Sequence, residues 1–226
     1  MKKYNQHCFD EGYYEKFERG GFKGYTWEKI EKEVKMKLNW IDKHYKNKDV
    51  KSILFVGCAK GFEVREARER GYNAYGIEPS EYALEHADKS IRKYLEQGDI
   101  RDLRTYASNS VDLVCAFDVI HIVDIKSRYN AYNELNRVAG RGIVLRTRVL
   151  SAHHSLPAMD YTLDGDITYR ETMQSLISKV EQYNKFKIFH AKIDQRCVMW
   201  CAFGLEEYFP TTLKDAVNRG IKDETQ

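Results

Sequence analysis

The stretch that most restricts the fold lies near the C-terminal end of the chain. Phe186-Lys187-Ile188-Phe189-His190-Ala191-Lys192-Ile193 and Cys197-Val198-Met199-Trp200-Cys201-Ala202-Phe203 are apolar runs of strand length, separated only by Asp194-Gln195-Arg196. A parallel pair needs a crossover of roughly a dozen residues or more, so this linker forces an antiparallel hairpin. Upstream the pattern differs. Ile53-Leu54-Phe55-Val56 and residues 73–77, 94–97, 111–117 and 143–147 read as strands, with helical patterns between most of them. The strong strands lack apolar–polar alternation, as parallel strands buried on both faces do. Strands alternating with helices predict a mostly parallel sheet with helices on both faces and right-handed crossovers. The chain therefore reads as α/β, with a seven-stranded, mostly parallel sheet that finishes in an antiparallel hairpin.

Helix ends follow from capping chemistry. Trp27, Ile30, Val34, Leu38 and Ile41 recur at helical spacing behind Thr26, a candidate N-cap. Residues 62–70 form a helix closed by Gly71, which suits a left-handed C-cap. Its charges Glu63, Arg65, Glu66, Arg68, Glu69 and Arg70 read as a solvated face. Ser80 caps a helix with Ala83, Leu84 and Ala87 on one side. Tyr129, Tyr132, Leu135 and Val138 mark another helix, and Met173, Leu176, Ile177 and Val180 the last. Residues 9–25 are rich in aromatics and glycine and have neither period. The expected organisation is an N-terminal helical and aromatic extension over 1–50, the α/β domain over 51–204, and a short helix and tail over 205–226.

Composition narrows the class. A length of 226 residues suits one large domain with a sizeable core. Hydrophobic residues at 42% exclude a disordered chain. No run approaches the ~20 apolar residues of a membrane span. The basic start Met1-Lys2-Lys3 has no apolar run behind it, which argues against a secretory signal. Cys8, Cys58, Cys115, Cys197 and Cys201 form no CxxC pair, so reduced thiols in a cytoplasmic protein without structural zinc are expected. A net charge of +3 neither requires nor forbids a nucleic-acid partner.

Four segments in order carry a resemblance over residues 50–204. They are Ile53-Leu54-Phe55-Val56-Gly57-Cys58-Ala59-Lys60-Gly61, Gly76-Ile77-Glu78-Pro79-Ser80, Gly98-Asp99-Ile100, and Val111-Asp112-Leu113-Val114-Cys115-Ala116-Phe117-Asp118-Val119-Ile120-His121. With Glu134-Leu135-Asn136-Arg137-Val138 and the terminal hairpin, this set resembles the class I S-adenosylmethionine-dependent methyltransferases. All four segments fall at carboxyl ends of expected parallel strands, where open α/β sheets bind ligands. The resemblance implies S-adenosylmethionine as cofactor, held by Val56, Gly57, Cys58, Ala59, Gly61, Glu78, Pro79, Asp99, Ile100, Phe117 and Asp118. Glu78 would accept bonds from the ribose hydroxyls, Asp99 would meet the adenine, and the loop 57–61 would hold the methionine portion. Two positions depart from the family pattern. Phe55 stands where an acid usually helps hold the cofactor's amino end, and Ala59 where a glycine is usual.

Methyl transfer from a sulfonium needs an in-line nucleophile more than acid–base machinery. A hydroxyl acceptor gains from a general base. His121, just beyond the fourth strand, is the candidate base; its other reading is a helix-start histidine bonded to backbone. Tyr13, Tyr14, His153, His154 and Arg146 are candidates to line the acceptor pocket. The alternatives are loop positions for the two histidines and a solvated strand end for Arg146. The segment around Tyr13, Tyr14 and Phe17 reads either as a lid or as extra core. No metal site is expected. No Asn-Pro-Pro-Tyr motif follows the fourth strand, and Asp160, Asp164 and Asp166 make the 150–169 stretch acidic. A small-molecule oxygen or nitrogen acceptor is therefore preferred. Methylation of RNA or protein, and a non-catalytic binding or scaffold role, are the alternatives. A nicotinamide-dependent dehydrogenase is disfavoured, because Gly57-Cys58-Ala59-Lys60-Gly61 does not fit G-x-G-x-x-G.

Overall fold

A computed structural model describes residues 9–18, 21–45, 48–149, 159–161, 167–169, 172–183, 185–193 and 198–205. The chain divides into two compact units, Met1–Asp99 and Ile100–Gln226. The first unit holds α1 (Glu11–Glu15), α2 (Trp27–Tyr45), β1 (Ser52–Val56), α3 (Phe62–Glu69), β2 (Asn73–Glu78), α4 (Glu81–Glu85) and β3 (Leu95–Gln97). The second holds β4 (Val111–Phe117), α5 (Arg128–Val138), β5 (Ala139–Arg148), β6 (Met159–Tyr161), β7 (Ile167–Tyr169), α6 (Met173–Glu181), β8 (Lys187–Ile193) and β9 (Val198–Gly204). Seven strands form one sheet in the order β3-β2-β1-β4-β5-β9-β8. Pairing is parallel for β1 with β2, β2 with β3 and β4 with β5, and antiparallel for β5 with β9 and β8 with β9. The expected architecture is the observed one. The Asp194-Gln195-Arg196 linker lies outside the described residues.

Local chemistry explains the elements of the first unit. Ile53, Leu54, Phe55 and Val56 are all buried, so β1 has no solvent face. Phe55, at the position of the family's acid, is core. The N–H of Gly71 donates to the Arg68 carbonyl and that of Tyr72 to the Ala67 carbonyl, which is the Schellman closure of α3. Gly71 is left-handed at φ +93°. Ser80 accepts from the Ala83 N–H at 3.0 Å and starts α4, which is shorter than its apolar pattern suggested.

One expectation about α3 is corrected. Glu63 and Glu66 are buried rather than solvated. Lys37 of α2, itself buried, places its ammonium 2.8 Å from Glu63. Arg70 spans Glu66 and Asp42, and the Tyr72 hydroxyl donates to Asp42 at 2.6 Å. Charge pairing, together with Val34, Leu38 and Ile41, fastens α2 to α3.

In the second unit, β4 and β5 are longer and wholly apolar at their centres. β5 begins four residues before its apolar core (Ala139 against Ile143). The small hairpin of β6 and β7 was not foreseen. Residues 206–226, where a short helix was expected, lie outside the described residues.

Candidate functional site

In the first unit the site is built where β1 and β2 end. The loop after β1 turns through left-handed residues, with φ +71° at Gly57, +49° at Ala59 and +75° at Gly61. A β-carbon on Gly61 would lie 2.7 Å from Ile91 Cδ1 and 2.8 Å from Leu95 Cδ1, so at this left-handed φ a larger residue is strained and must also push those side chains aside. The N–H groups of Gly57 and Cys58 both donate to the Ile77 carbonyl, at 2.8 and 3.1 Å, which ties the loop to β2. Cys58 is buried against Gly76, and burial holds its thiol well above the ordinary range. It is a packing residue, not a nucleophile.

Glu78 ends β2 and is 3% exposed. Its Oε2 accepts from the Ala59 N–H at 2.8 Å and its Oε1 from the Ser80 N–H at 3.0 Å. The Tyr14 hydroxyl also bonds this carboxyl group. Burial pushes the Glu78 carboxyl up to about 7, while the Ser80 and Ala59 N–H groups and the Tyr14 hydroxyl pull the other way. Pro79 follows it at the turn into α4. The Gly98 N–H donates to the Glu78 carbonyl at 3.1 Å, so half-buried Asp99 follows directly on a residue fixed to the end of β2.

The N-terminal segment docks on these same elements. Asp10 caps α1 by accepting from the Tyr13 N–H at 3.1 Å. Tyr14 is buried, and its ring meets those of Tyr13, Phe22 and Tyr25 and stacks on Tyr82 at 5.9 Å. Tyr13 is half-buried, edge-on to Phe9 at 5.2 Å. The Ser80 hydroxyl donates to the Phe9 carbonyl. Lys60, in the loop, is 7% exposed and sets its ammonium 2.6 Å from Glu15 Oε1.

In the second unit, Ile100 is buried and Phe117 ends β4, its ring 5.6 Å from that of Trp200. Asp118 is left-handed at φ +59°; its N–H donates to the Arg146 carbonyl at 2.7 Å and its carboxylate pairs with the Arg146 guanidinium. Arg146 is thus tied to Asp118 rather than solvated. His121 is buried in a single 3-10 turn, Ile120–Ile122, and its Nδ1 lies 3.2 Å from Thr147 Oγ1. Arg128, wholly buried at the start of α5, donates to the carbonyls of Val123 at 2.9 Å and His121 at 3.1 Å. His153 and His154 lie outside the described residues. Among the described residues no group of three His, Cys, Asp or Glu side chains is arranged to hold a metal ion, and no helix is long and apolar enough to cross a membrane.

Sequence reasoning missed Lys60, Glu15, Tyr82, Thr147 and Arg128. The signal for the first two was present: a lone cation inside a glycine-rich loop, and an acid beside two tyrosines in a segment without period.

The strand order and the loop-and-acid arrangement define the α/β fold of class I methyltransferases. Residues 54–145 match the family described as "Methyltransferase domain". The matched stretch runs from β1 into β5, so the sequence resemblance and the seven-stranded sheet of methyltransferase fold coincide over those strands. Solved structures agree on the fold. A protein from Pyrococcus horikoshii OT3 superposes with a TM-score of 0.62 at 11% identity, over 86% of this chain and 95% of that one. Magnesium protoporphyrin IX methyltransferase from Synechocystis PCC 6803, with bound SAH, gives 0.59 at 14%, over 77% and 82%. An S-adenosylmethionine dependent methyltransferase from Mesorhizobium loti gives 0.55 at 15%, over 68% and 90%. No curated protein sequence matches the chain.

Proposed function

We propose that this protein transfers the methyl group of S-adenosylmethionine to an oxygen or nitrogen atom of a small molecule. The observation that carries the reading is Glu78, a buried carboxylate at the end of β2 bonded to the N–H of Ala59 in the left-handed loop. A carboxylate offers about four acceptor positions. The N–H groups of Ala59 and Ser80 use two. Two remain once the Tyr14 hydroxyl moves away, one for each hydroxyl of a ribose. The residues present therefore fit the cofactor. In this reading Val56, Gly57, Cys58, Ala59 and Gly61 flank its methionine portion, Glu78 and Pro79 its ribose, and Asp99 and Ile100 its adenine. Phe117 and Asp118, at the end of β4, are the candidates that the second unit offers.

When bound, the cofactor supplies a methyl group already activated on sulfur. The protein's task is then to orient the acceptor and exclude water. His121, held by Thr147, takes the proton of a hydroxyl acceptor. Tyr13 in the first unit and Arg146 in the second are the described candidates to meet the acceptor; His153 and His154 lie outside the described residues. The similarity to a methyltransferase of a porphyrin, and the acidic Asp160, Asp164 and Asp166, support a small molecule over a nucleic acid. Free thiols at Cys58, Cys115 and Cys201 support a reducing, cytoplasmic setting.

A second reading, a non-catalytic scaffold of methyltransferase fold that does not take the cofactor, draws on the Tyr14 hydroxyl already seated at Glu78. Calorimetric titration with S-adenosylmethionine and S-adenosylhomocysteine separates them from the start. Saturable binding that Glu78→Ala abolishes supports the enzyme; no binding up to millimolar ligand removes it.

A further inference from the structure

Two adjacent residues of α1 reach across the chain to the loop and to the acid. Tyr14 bonds Glu78, and Glu15 pairs with Lys60. A lysine as buried as Lys60 requires an anionic partner close by. Glu15 supplies it at 2.6 Å, from 45 residues earlier in the sequence. The site is shaped around that charge. The Lys60 ammonium lies 5.9 Å from the centre of the Tyr14 ring and 5.8 Å from that of Tyr82, and the Tyr82 hydroxyl stands 3.5 Å from the same Glu15 oxygen. This is a carboxylate-binding position, walled by two aromatic rings and set in the loop that closes β1.

The two contacts share a logic. A phenolic hydroxyl on Glu78 occupies an acceptor position that a ribose hydroxyl would need. A carboxylate on Lys60 offers the same chemistry as the carboxylate of an α-amino acid. Within Gly57-Cys58-Ala59-Lys60-Gly61 the lysine is the one charged residue. Phe55, the position from which an acid would hold an amine, is an aromatic core residue. Charge recognition of an amino-acid group in this loop therefore falls to a cation reading a carboxylate.

We propose that Lys60 binds the carboxylate of the cofactor's amino-acid end, and that Glu15 occupies this position as an internal competitor when the cofactor is absent. The inference rests on the function proposed above. Cofactor entry exchanges one carboxylate for another at Lys60, so the ammonium is never buried alone. Glu15, half-buried, moves toward solvent at low cost.

The test compares two ligands on the full chain by calorimetry: S-adenosylhomocysteine, and 5′-methylthioadenosine, which keeps the nucleoside and thioether but lacks the amino-acid carboxylate. Lys60→Met keeps the apolar stem and removes the charge. It should weaken S-adenosylhomocysteine by about ten-fold or more and move 5′-methylthioadenosine by less than about two-fold. The second ligand thereby also reports that the variant is folded. Glu15→Gln should tighten S-adenosylhomocysteine by about three-fold and leave 5′-methylthioadenosine unchanged. Equal loss of both ligands in Lys60→Met, or weaker S-adenosylhomocysteine binding in Glu15→Gln, overturns the inference and leaves the function standing. A wild-type chain that binds neither ligand overturns both.

Discussion

The Ala59 N–H donates to Glu78 Oε2 at 2.8 Å, and this one bond joins two segments 19 residues apart in the chain. Its consequence is mechanical as well as electrostatic. The left-handed loop cannot shift without moving the carboxylate, and the carboxylate cannot turn without releasing the loop. A ligand that engaged either would therefore be held by both.

That carboxylate makes the protein sensitive to pH. Burial lifts Glu78 from an ordinary 4.5 to about 7, so between those values the folded chain keeps a proton that the unfolded chain has released. Stability is therefore greatest below that window and falls as pH rises through it. Urea unfolding at pH 5 and pH 8 should show a loss for the wild type that Glu78→Gln lacks, by about 2–3 kcal/mol. Ribose hydroxyls favour the ionised form, so S-adenosylhomocysteine binding near neutral pH should expel a fraction of a proton. The binding heat would then depend on the buffer's ionisation enthalpy. The groups facing Glu78 are the Ala59 and Ser80 N–H groups and the Tyr14 hydroxyl, with Cys58 and Tyr25 close by and held well above their ordinary range by burial. None of these titrates in the same window. Identical pH profiles for wild type and Glu78→Gln would sink the assignment.

Ala59 bears a measurable strain. Its φ of +49° places a β-carbon in the left-handed region, at a cost of roughly 1–2 kcal/mol. Glycine there avoids the clash but gives up about 0.5–1 kcal/mol of chain entropy. Ala59→Gly should therefore raise stability by up to about 1 kcal/mol. It should keep its backbone bond to Glu78 and bind S-adenosylhomocysteine at least as tightly. Ala59→Val should lose stability, because a β-branched residue tolerates this conformation least. Thermal melts of both variants decide the matter, and a destabilised Ala59→Gly would show that the methyl group packs usefully.

Lys37 and Glu63 give the stability counterpart. Both are buried, with nitrogen and oxygen 2.8 Å apart. Lys37 also lies 3.1 Å from Glu33, which is half-exposed and can return to water. Lys37→Met leaves Glu63 charged and stranded, at a cost of about 3–5 kcal/mol. The double variant Lys37→Met with Glu63→Leu should recover most of that loss, because apolar packing often replaces a buried pair without penalty. Urea titrations of the two singles and the double measure it. Strictly additive losses would mean that the pair is not coupled.

What was legible in the sequence follows from range. The β4 strand, the Gly71 closure and the Ser80 cap depend on residues within a few positions of one another, and pattern alone located them. The terminal hairpin was forced by its short linker. The β6–β7 hairpin escaped notice because its strands are only three residues long and lie in a polar stretch. The buried charges of α3 escaped because Glu63 and Glu66 find their partners on α2, and a charge run looks solvated until its partners are known. At the site, Glu78 and the loop were readable because local sequence builds them. The roles of Tyr14, Glu15 and Lys60 were not, because they arise only when α1 folds back onto β1 and β2.

The last prediction concerns the proton. His121 lies in a turn whose carbonyls at His121 and Val123 are both held by the buried guanidinium of Arg128. The backbone there is fixed without help from the imidazole, so His121→Ala should leave the fold intact. Thr147 Oγ1 lies 3.2 Å from Nδ1, and in the tautomer whose Nδ1–H donates to it, Nε2 is the nitrogen that accepts a proton. With a hydroxyl acceptor, His121→Ala should lower kcat by about 100-fold or more while leaving S-adenosylhomocysteine affinity unchanged. Thr147→Val should produce a smaller loss and shift the pH profile of kcat. Release of S-adenosylhomocysteine, followed across a panel of small alcohols, phenols and amines, supplies the measurement. Unchanged turnover of a hydroxyl acceptor in His121→Ala would remove the histidine from the chemistry and leave it a buried residue of the post-β4 turn.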